Sequence, residues 1–291
     1  LFEPRSEGSC MSDSSLRFSL QDLLDIESLS EVSLSPNGEW VAFVLGKSNK
    51  PDKDTPFQKA IHIINVNTRR THLIPGTDSG TNSQPCWSPD SSTLAFISNR
   101  ADADETQLYI HNLSHDEIHQ LTQLRGKVDG PRWLPDGSTI SFLYDGTSDP
   151  EKRPDPDPIV VDAAPMFNRV WSVDVQTRQL TAITPPTCHI FEYVWSRDGS
   201  KLAVLTSMHP NPAEGWYAAQ IHTVERAAGA MQQVCTIRDP IGRLTWSPDG
   251  ASIAFVSGVM SDEGNISGEV YVVPAEAGEA RCITPGIDHS I

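Results

Sequence analysis

The stretch "TWSPDGASIAFVSG", residues 245–258, decides how this chain is read. It places an apolar segment, a turn and a second apolar segment in immediate succession. Pro248 presets φ near −65°, Asp249 bonds to its own backbone and Gly250 takes the left-handed corner, so hairpin geometry accounts for all three residues. Near-copies stand at 33–44 ("SLSPNGEWVAFV"), 86–98 ("CWSPDSSTLAFIS"), 132–144 ("RWLPDGSTISFLY") and 194–206 ("VWSRDGSKLAVLT"). Their anchors Pro36, Pro89, Pro135, Arg197 and Pro248 are separated by 53, 46, 62 and 51 residues. The second copy has Ser91 where Gly is needed and the fourth has Arg197 in place of Pro, changes that cost stability without altering the fold.

Two more short apolar segments follow each hairpin, such as "AIHIINV" then "RTHLI" and "EVYVVPA" then "ARCIT". Four strands per repeat at a period near 50 residues predict an all-β chain, a β-propeller of four-stranded antiparallel blades. Five blades are expected at 31–76, 84–124, 129–184, 191–238 and 242–284. Trp87, Trp133, Trp195 and Trp246 hold one place in four copies and are expected between blades. Antiparallel connectivity puts the Ser-Pro-Asp-Gly turns on one side of the disc. Long second-to-third-strand loops fall on the other, at 46–58, 99–106, 145–168, 207–216 and 258–268, and function is expected there.

Residues 1–18 read as a tail, and 19–30 as a short helix and linker. Ser19 is the N-cap, Asp22 its partner, and Leu20, Leu23 and Leu24 form one apolar stripe. A helix this short needs a surface to pack on, either the propeller rim or another domain.

Composition narrows the function classes. With 22 Lys and Arg against 38 Asp and Glu, the net charge is −16. Such a chain repels phosphate backbones, so nucleic acid is not expected as a partner. Cys10, Cys86, Cys188, Cys235 and Cys282 are far apart and odd in number, which fits reduced thiols and a cytoplasmic setting better than a disulfide framework. No apolar run reaches the ~20 residues of a membrane span, and no membrane association is expected. Neither a metal nor a cofactor is expected: His111, His115 and His119 fall on a strand, turn and strand and read as surface histidines, and "DPEKRPDPDP" lacks the Gly and terminal Glu of a calcium loop. No G-x-S-x-G elbow occurs, and Ser114-His115-Asp116 is a polar turn, since a catalytic triad assembles in space.

The segment "FSLQDLLDIESLSEVSLSPNGEWVAFV", the W-S-P-D-G hairpins, the Leu121-Thr122, Ile183-Thr184 and Ile283-Thr284 strand ends and "DPIVVDAAPMFNRVWSVDVQTRQLT" together resemble the N-terminal propeller of the prolyl oligopeptidase family. The acylaminoacyl-peptidase and dipeptidyl-peptidase-like branch is the nearest likeness. The resemblance implies a seven- or eight-bladed ring in front of a C-terminal α/β-hydrolase domain, with the propeller gating entry of peptide substrates. Five blades and no hydrolase domain then read as part of a longer product, an incomplete ring with no catalytic residue of its own. The resemblance also implies that Leu20, Leu23 and Leu24 contact the hydrolase domain. It makes Met166, Phe167, Asn168 and Arg169 the substrate-gating candidates. The alternatives are a binding propeller of the Tol type, which shares the hairpin, and an interaction scaffold with no peptidase link.

Overall fold

Each Ser-Pro-Asp-Gly hairpin forms the first two strands of a four-stranded antiparallel sheet in the computed structural model, which describes residues 19, 22, 25–47, 58–146, 167–209, 212–227, 229–260 and 266–286. Blade one comprises β1 (Glu27–Leu34), β2 (Trp40–Lys47), β3 (Lys59–Asn65) and β4 (Thr71–Leu73). Blade two comprises β5 (Asn82–Trp87), β6 (Thr93–Ser98), β7 (Gln107–Asn112) and β8 (Glu117–Gln120). Blade three follows with β9 (Val128–Trp133), β10 (Thr139–Tyr144), β11 (Arg169–Asp174) and β12 (Leu180–Ala182). Blade four has β13 (His189–Trp195), β14 (Lys201–Ser207), β15 (Gln220–Glu225) and β16 (Met231–Gln233). Blade five closes the series with β17 (Ile241–Trp246), β18 (Ser252–Met260), β19 (Ile266–Pro274) and β20 (Arg281–Cys282). The helical residues among the described ones are Asp22, α1 (Pro212–Gly215) and a 3-10 turn at Trp216–Ala218.

The turn chemistry is the one the sequence dictates. Asp90, Asp198 and Asp249 each accept hydrogen bonds from the preceding Ser hydroxyl and from the backbone N–H two residues on. The same Ser hydroxyls accept the N–H that opens the second strand, at Thr93, Lys201 and Ser252. Gly38, Gly137, Gly199 and Gly250 hold φ between 67° and 73°, and Ser91 adopts φ 63° in the same corner. Ser91 has a compensation: its hydroxyl accepts the Asn37 N–H of the neighbouring blade at 3.1 Å.

Four apolar clusters correspond to the four blade junctions. Ala42, Val44 and Ile61 meet Trp87, Leu94 and Phe96 between blades one and two. Leu108 and Ile110 meet Ile140 and Phe142 between two and three. Val170 meets Ile190 and Leu202 between three and four, and Leu205 and Ile221 meet Ile253 and Phe255 between four and five. Each repeated tryptophan reaches back across its junction. The indole N–H of Trp87, Trp133 and Trp246 donates to the carbonyl oxygen of Ser33, Cys86 and Val194 at 3.0, 3.2 and 2.9 Å. At the remaining junction Trp195 donates to Ser141 Oγ at 2.8 Å, and that hydroxyl in turn donates to the Arg132 carbonyl. The acceptor, direct or relayed, is always the residue three before the turn proline or its Arg197 counterpart.

A second repeated device lies in the first strands, which neighbour one another from blade to blade. Five residues before each turn anchor stand Glu31, Gln84, Gly130, Glu192 and Arg243. Four of them, all but Glu192, have φ between 53° and 60°, and every first strand carries a register shift next to this position. Such a bulge turns a backbone N–H out of its own ladder. The preceding blade satisfies it: Glu31 accepts the Gln84 N–H, Gln84 Oε1 accepts the Gly130 N–H at 2.7 Å, and Glu192 accepts the N–H groups of Arg243 and Leu244 at 2.9 and 2.7 Å.

The two end blades differ from the inner ones. In β6, β10 and β14 nearly every residue is buried, whereas β2 and β18 alternate. The outward side of blade one bears half-buried Val41, Phe43 and Leu45 beside Val32 and Leu34, each 62% exposed. Leu34 holds the place of the tryptophan in the other copies, and it has no junction to reach across. Ala254, Val256, Val270 and Val272 form the corresponding half-buried side of blade five.

At the N-terminus, Glu27–Ser30, read from the sequence as linker, belong to the sheet because β2 is long enough to pair Glu27 with Lys47. The expected helix over 19–26 falls largely on residues outside the described ones, and Asp22 within it is helical. Leu20, Leu23 and Leu24 lie outside the described residues; Ser19 and Asp22 exchange the expected capping bonds, at 2.7 Å and 3.1 Å.

Candidate functional site

The face opposite the Ser-Pro-Asp-Gly turns gathers side chains from three separate segments. Phe167, just ahead of β11, packs edge-on against His189 at the start of β13, with ring centres 6.2 Å apart. His189 lies 4.5 Å from Phe191, and Phe191 lies 4.9 Å from Trp216 in the β14–β15 loop. All four rings are half-buried, so a continuous aromatic ledge crosses from blade three to blade four. The loop can lie flat because Gly215 has no side chain: a Cβ there would stand 3.0 Å from Ser207 Oγ. Tyr217 and Met208 extend the exposed apolar surface beside it.

Polar groups fix the ledge and its edge. The Asn168 N–H donates to His189 Nδ1 at 3.3 Å, which leaves the ring hydrogen on Nε2. Burial pushes the His189 pKa down, with a smaller upward pull from Asp145, so the ring is held neutral. Asn168 also lines a cleft of about 380 Å³ between blades two and three, with Thr106, Lys127, Asp129 and Asp145 around it. Asp129 accepts a hydrogen bond from Gln84 Nε2 at 2.5 Å, so the cleft joins the inner belt of blade-to-blade contacts.

Of the four gating candidates, Phe167 and Asn168 stand at the ledge, and Met166 lies outside the described residues. Arg169 is otherwise engaged: its Nε donates to the Thr184 carbonyl at 2.9 Å and its guanidinium lies 5.2 Å from the Trp171 ring centre. It ties the outer strand of blade three to the sheet. His189, Phe191 and Trp216 carried no motif; the one signal was that Trp216 ends a long loop on the expected face.

His111 departs from the surface position read for it. It is 2% exposed, because it lies on the side of β7 turned towards blade one, and its Nε2 bonds Asp116 Oδ1 at 2.9 Å. Among the described residues no hydroxyl bonds this pair, and no group of His, Cys, Asp or Glu could hold a metal ion. Among the same residues no helix is long and apolar enough to cross a membrane.

Five four-stranded antiparallel sheets packed face to face, with short turns on one side and long loops on the other, define a β-propeller. Comparison with known proteins agrees: residues 23–154 match the TolB beta propeller domain, so the chain carries a TolB-like propeller. Among curated relatives, the uncharacterized peptidase YuxL of Bacillus subtilis is 36% identical over 120 residues, a match covering 41% of this chain and 18% of that protein. Dipeptidyl-peptidase 5 of Porphyromonas gingivalis is 29% identical over 119 residues, covering 40% and 17%. The chain therefore matches less than a fifth of the length of either relative. Among solved structures, the acylaminoacyl peptidase of Pyrococcus horikoshii superposes with a TM-score of 0.63 at 17% identity, over 92% of this chain and 41% of that one. This last likeness concerns the fold.

Proposed function

We propose that this chain is the non-catalytic propeller portion of a serine peptidase of the prolyl oligopeptidase family. In this reading it gates and selects peptide substrates for an α/β-hydrolase domain of the same polypeptide, in a cytoplasmic setting. The observation that carries the proposal is that relatives named as peptidases match this propeller over only 17–18% of their length, which leaves most of each relative to supply the chemistry. The asymmetry of the disc adds support: the aromatic ledge and the neighbouring cleft share the long-loop face, where substrates would be sorted.

The test is activity-based labelling of the natural gene product. A fluorophosphonate probe labels an activated serine nucleophile. The expected result is label on a product longer than 291 residues that carries this propeller, and none on the 291-residue chain. A natural product containing these residues that stays unlabelled while folded overturns the reading. The match to the TolB model favours a second reading, a binding propeller without peptidase chemistry. An unlabelled product that captures a folded protein partner would support it.

A further inference from the structure

The ledge carries an inference about what it selects, and this rests on the gating reading above. Phe167, His189, Phe191 and Trp216 meet at interplanar angles of 48–80°, tilted and edge-to-face, and all four stay partly exposed. They are not sealed from solvent as Phe96, Phe142 and Phe255 are in this same molecule. The Trp216 indole N–H, like that of Trp171 on blade three, is buried without an acceptor, whereas the four junction tryptophans all have one. A buried donor left unpaired is unfavourable, and a ligand that lets the indole re-tilt and donate to a peptide carbonyl relieves it.

The surroundings select by charge. The cleft joined to the ledge through Asn168 has two carboxylates, Asp129 and Asp145, against one cation, Lys127, and the chain as a whole carries −16. An acidic rim beside aromatic faces disfavours anionic ligands and favours cationic ones, through the field of the protein and through cation–π contact.

We propose that the ledge is a subsite for an extended peptide segment bearing an aromatic side chain with a lysine or arginine next to it. The aromatic ring seats against Phe167 and Trp216, and the cationic side chain lies over the cleft bounded by Asp129 and Asp145.

The test measures binding, not hydrolysis, so that it stands apart from the gating reading. Fluorescein-labelled peptides of sequence Gly-Ala-Phe-Lys-Ala-Gly, with Phe→Ala and Lys→Glu versions, are titrated into the 291-residue chain and into the longer natural product, and anisotropy is read. The expected result is saturable binding of the parent peptide and at least tenfold weaker binding of the Phe→Ala version. The Lys→Glu peptide should be several-fold weaker at low salt, with the gap narrowing at 0.5 M salt. In the protein, Phe167→Ala and Trp216→Ala should each erase the preference for Phe over Ala, while Leu180→Ala, on the outer strand of blade three, should leave it intact. Phe167→Leu keeps an apolar contact and guards against misfolding as the cause of a loss. Equal binding of Phe and Ala peptides, or a preference that survives both ring deletions, overturns the inference even if the longer product is a labelled peptidase. If no product takes the label, the gating reading falls while the binding result stands.

Discussion

A single indole nitrogen does two jobs at each inner junction. It fills apolar space between blades and donates to the preceding blade, to a first-strand carbonyl at three junctions and to the Ser141 hydroxyl at the fourth. Trp246→Phe keeps most of the volume and deletes only the donor to Val194, so it should destabilise the fold by about 1–2 kcal/mol in urea unfolding. Leu34→Ala occupies the same place in the repeat but is exposed, and should change stability by less than about 0.5 kcal/mol. The turn aspartates make a second residue-scale case. The Asp198 pKa is lowered from 3.8 to about 2, first by the Ser196 hydroxyl and then by the Ser200 N–H and hydroxyl. A carboxylate with a depressed folded pKa stabilises the fold above its unfolded value, and that contribution disappears as pH falls from about 4 towards about 2. An NMR titration of the Asp198 carboxyl should show the depressed midpoint, and Ser196→Ala should move it back up; an unmoved midpoint would contradict the hydroxyl's role. The turn roles of Pro, Asp and Gly were readable because they are local. His111 was misplaced because strand alternation does not say which side of β7 meets a neighbouring blade.

At the scale of strands and turns, neighbouring hairpins interlock. Gly199 holds φ 69°, and a Cβ there would stand 2.8 Å from Pro135 Cδ in the turn of blade three. Gly250, with φ 71°, has nothing within 4 Å of the same place. Gly250→Ala should therefore cost only the left-handed penalty of about 1–2 kcal/mol, and Gly199→Ala measurably more, as read from paired denaturation curves. Equal losses would mean that the turns do not touch in solution. The inner belt makes a matching prediction. Glu192 receives the Arg243 and Leu244 N–H groups, and Glu192→Ala leaves both without their acceptor. Amide hydrogen exchange at Leu244 should accelerate at least tenfold, with little change at Leu202 in the middle of blade four. None of this belt was legible in the sequence. Glu, Gln, Gly, Glu and Arg share no side-chain chemistry, and what repeats is a backbone bulge whose partner lies on another blade. The ledge was half legible for a similar reason: Phe167 and Asn168 came from the resemblance, while His189, Phe191 and Trp216 join them only once blades three and four are side by side.

For the molecule as a whole, the hairpin count set the number of blades and the tryptophan column marked the junctions, because a propeller repeats one contact around an axis. The same repetition shows what the end blades lack. An inner blade buries both sides of its second strand, while β2 and β18 each bury one. Val32 and Leu34 are then displayed beside Phe43, a larger apolar surface than scattered exposed residues create. The 291-residue chain should accordingly self-associate as its concentration rises, through these two sides. Sedimentation velocity over a hundredfold concentration range should show mass above 31.9 kDa that grows with concentration. The double change Val32→Lys with Leu34→Lys places two cations on the side of blade one and should return the chain towards monomer without loss of its β-sheet circular dichroism. Val66→Lys, at an exposed position after β3, serves as the charge control and should leave association unchanged. If the chain stays monomeric throughout, the two sides are covered in solution, and the open arrangement of the end blades is wrong.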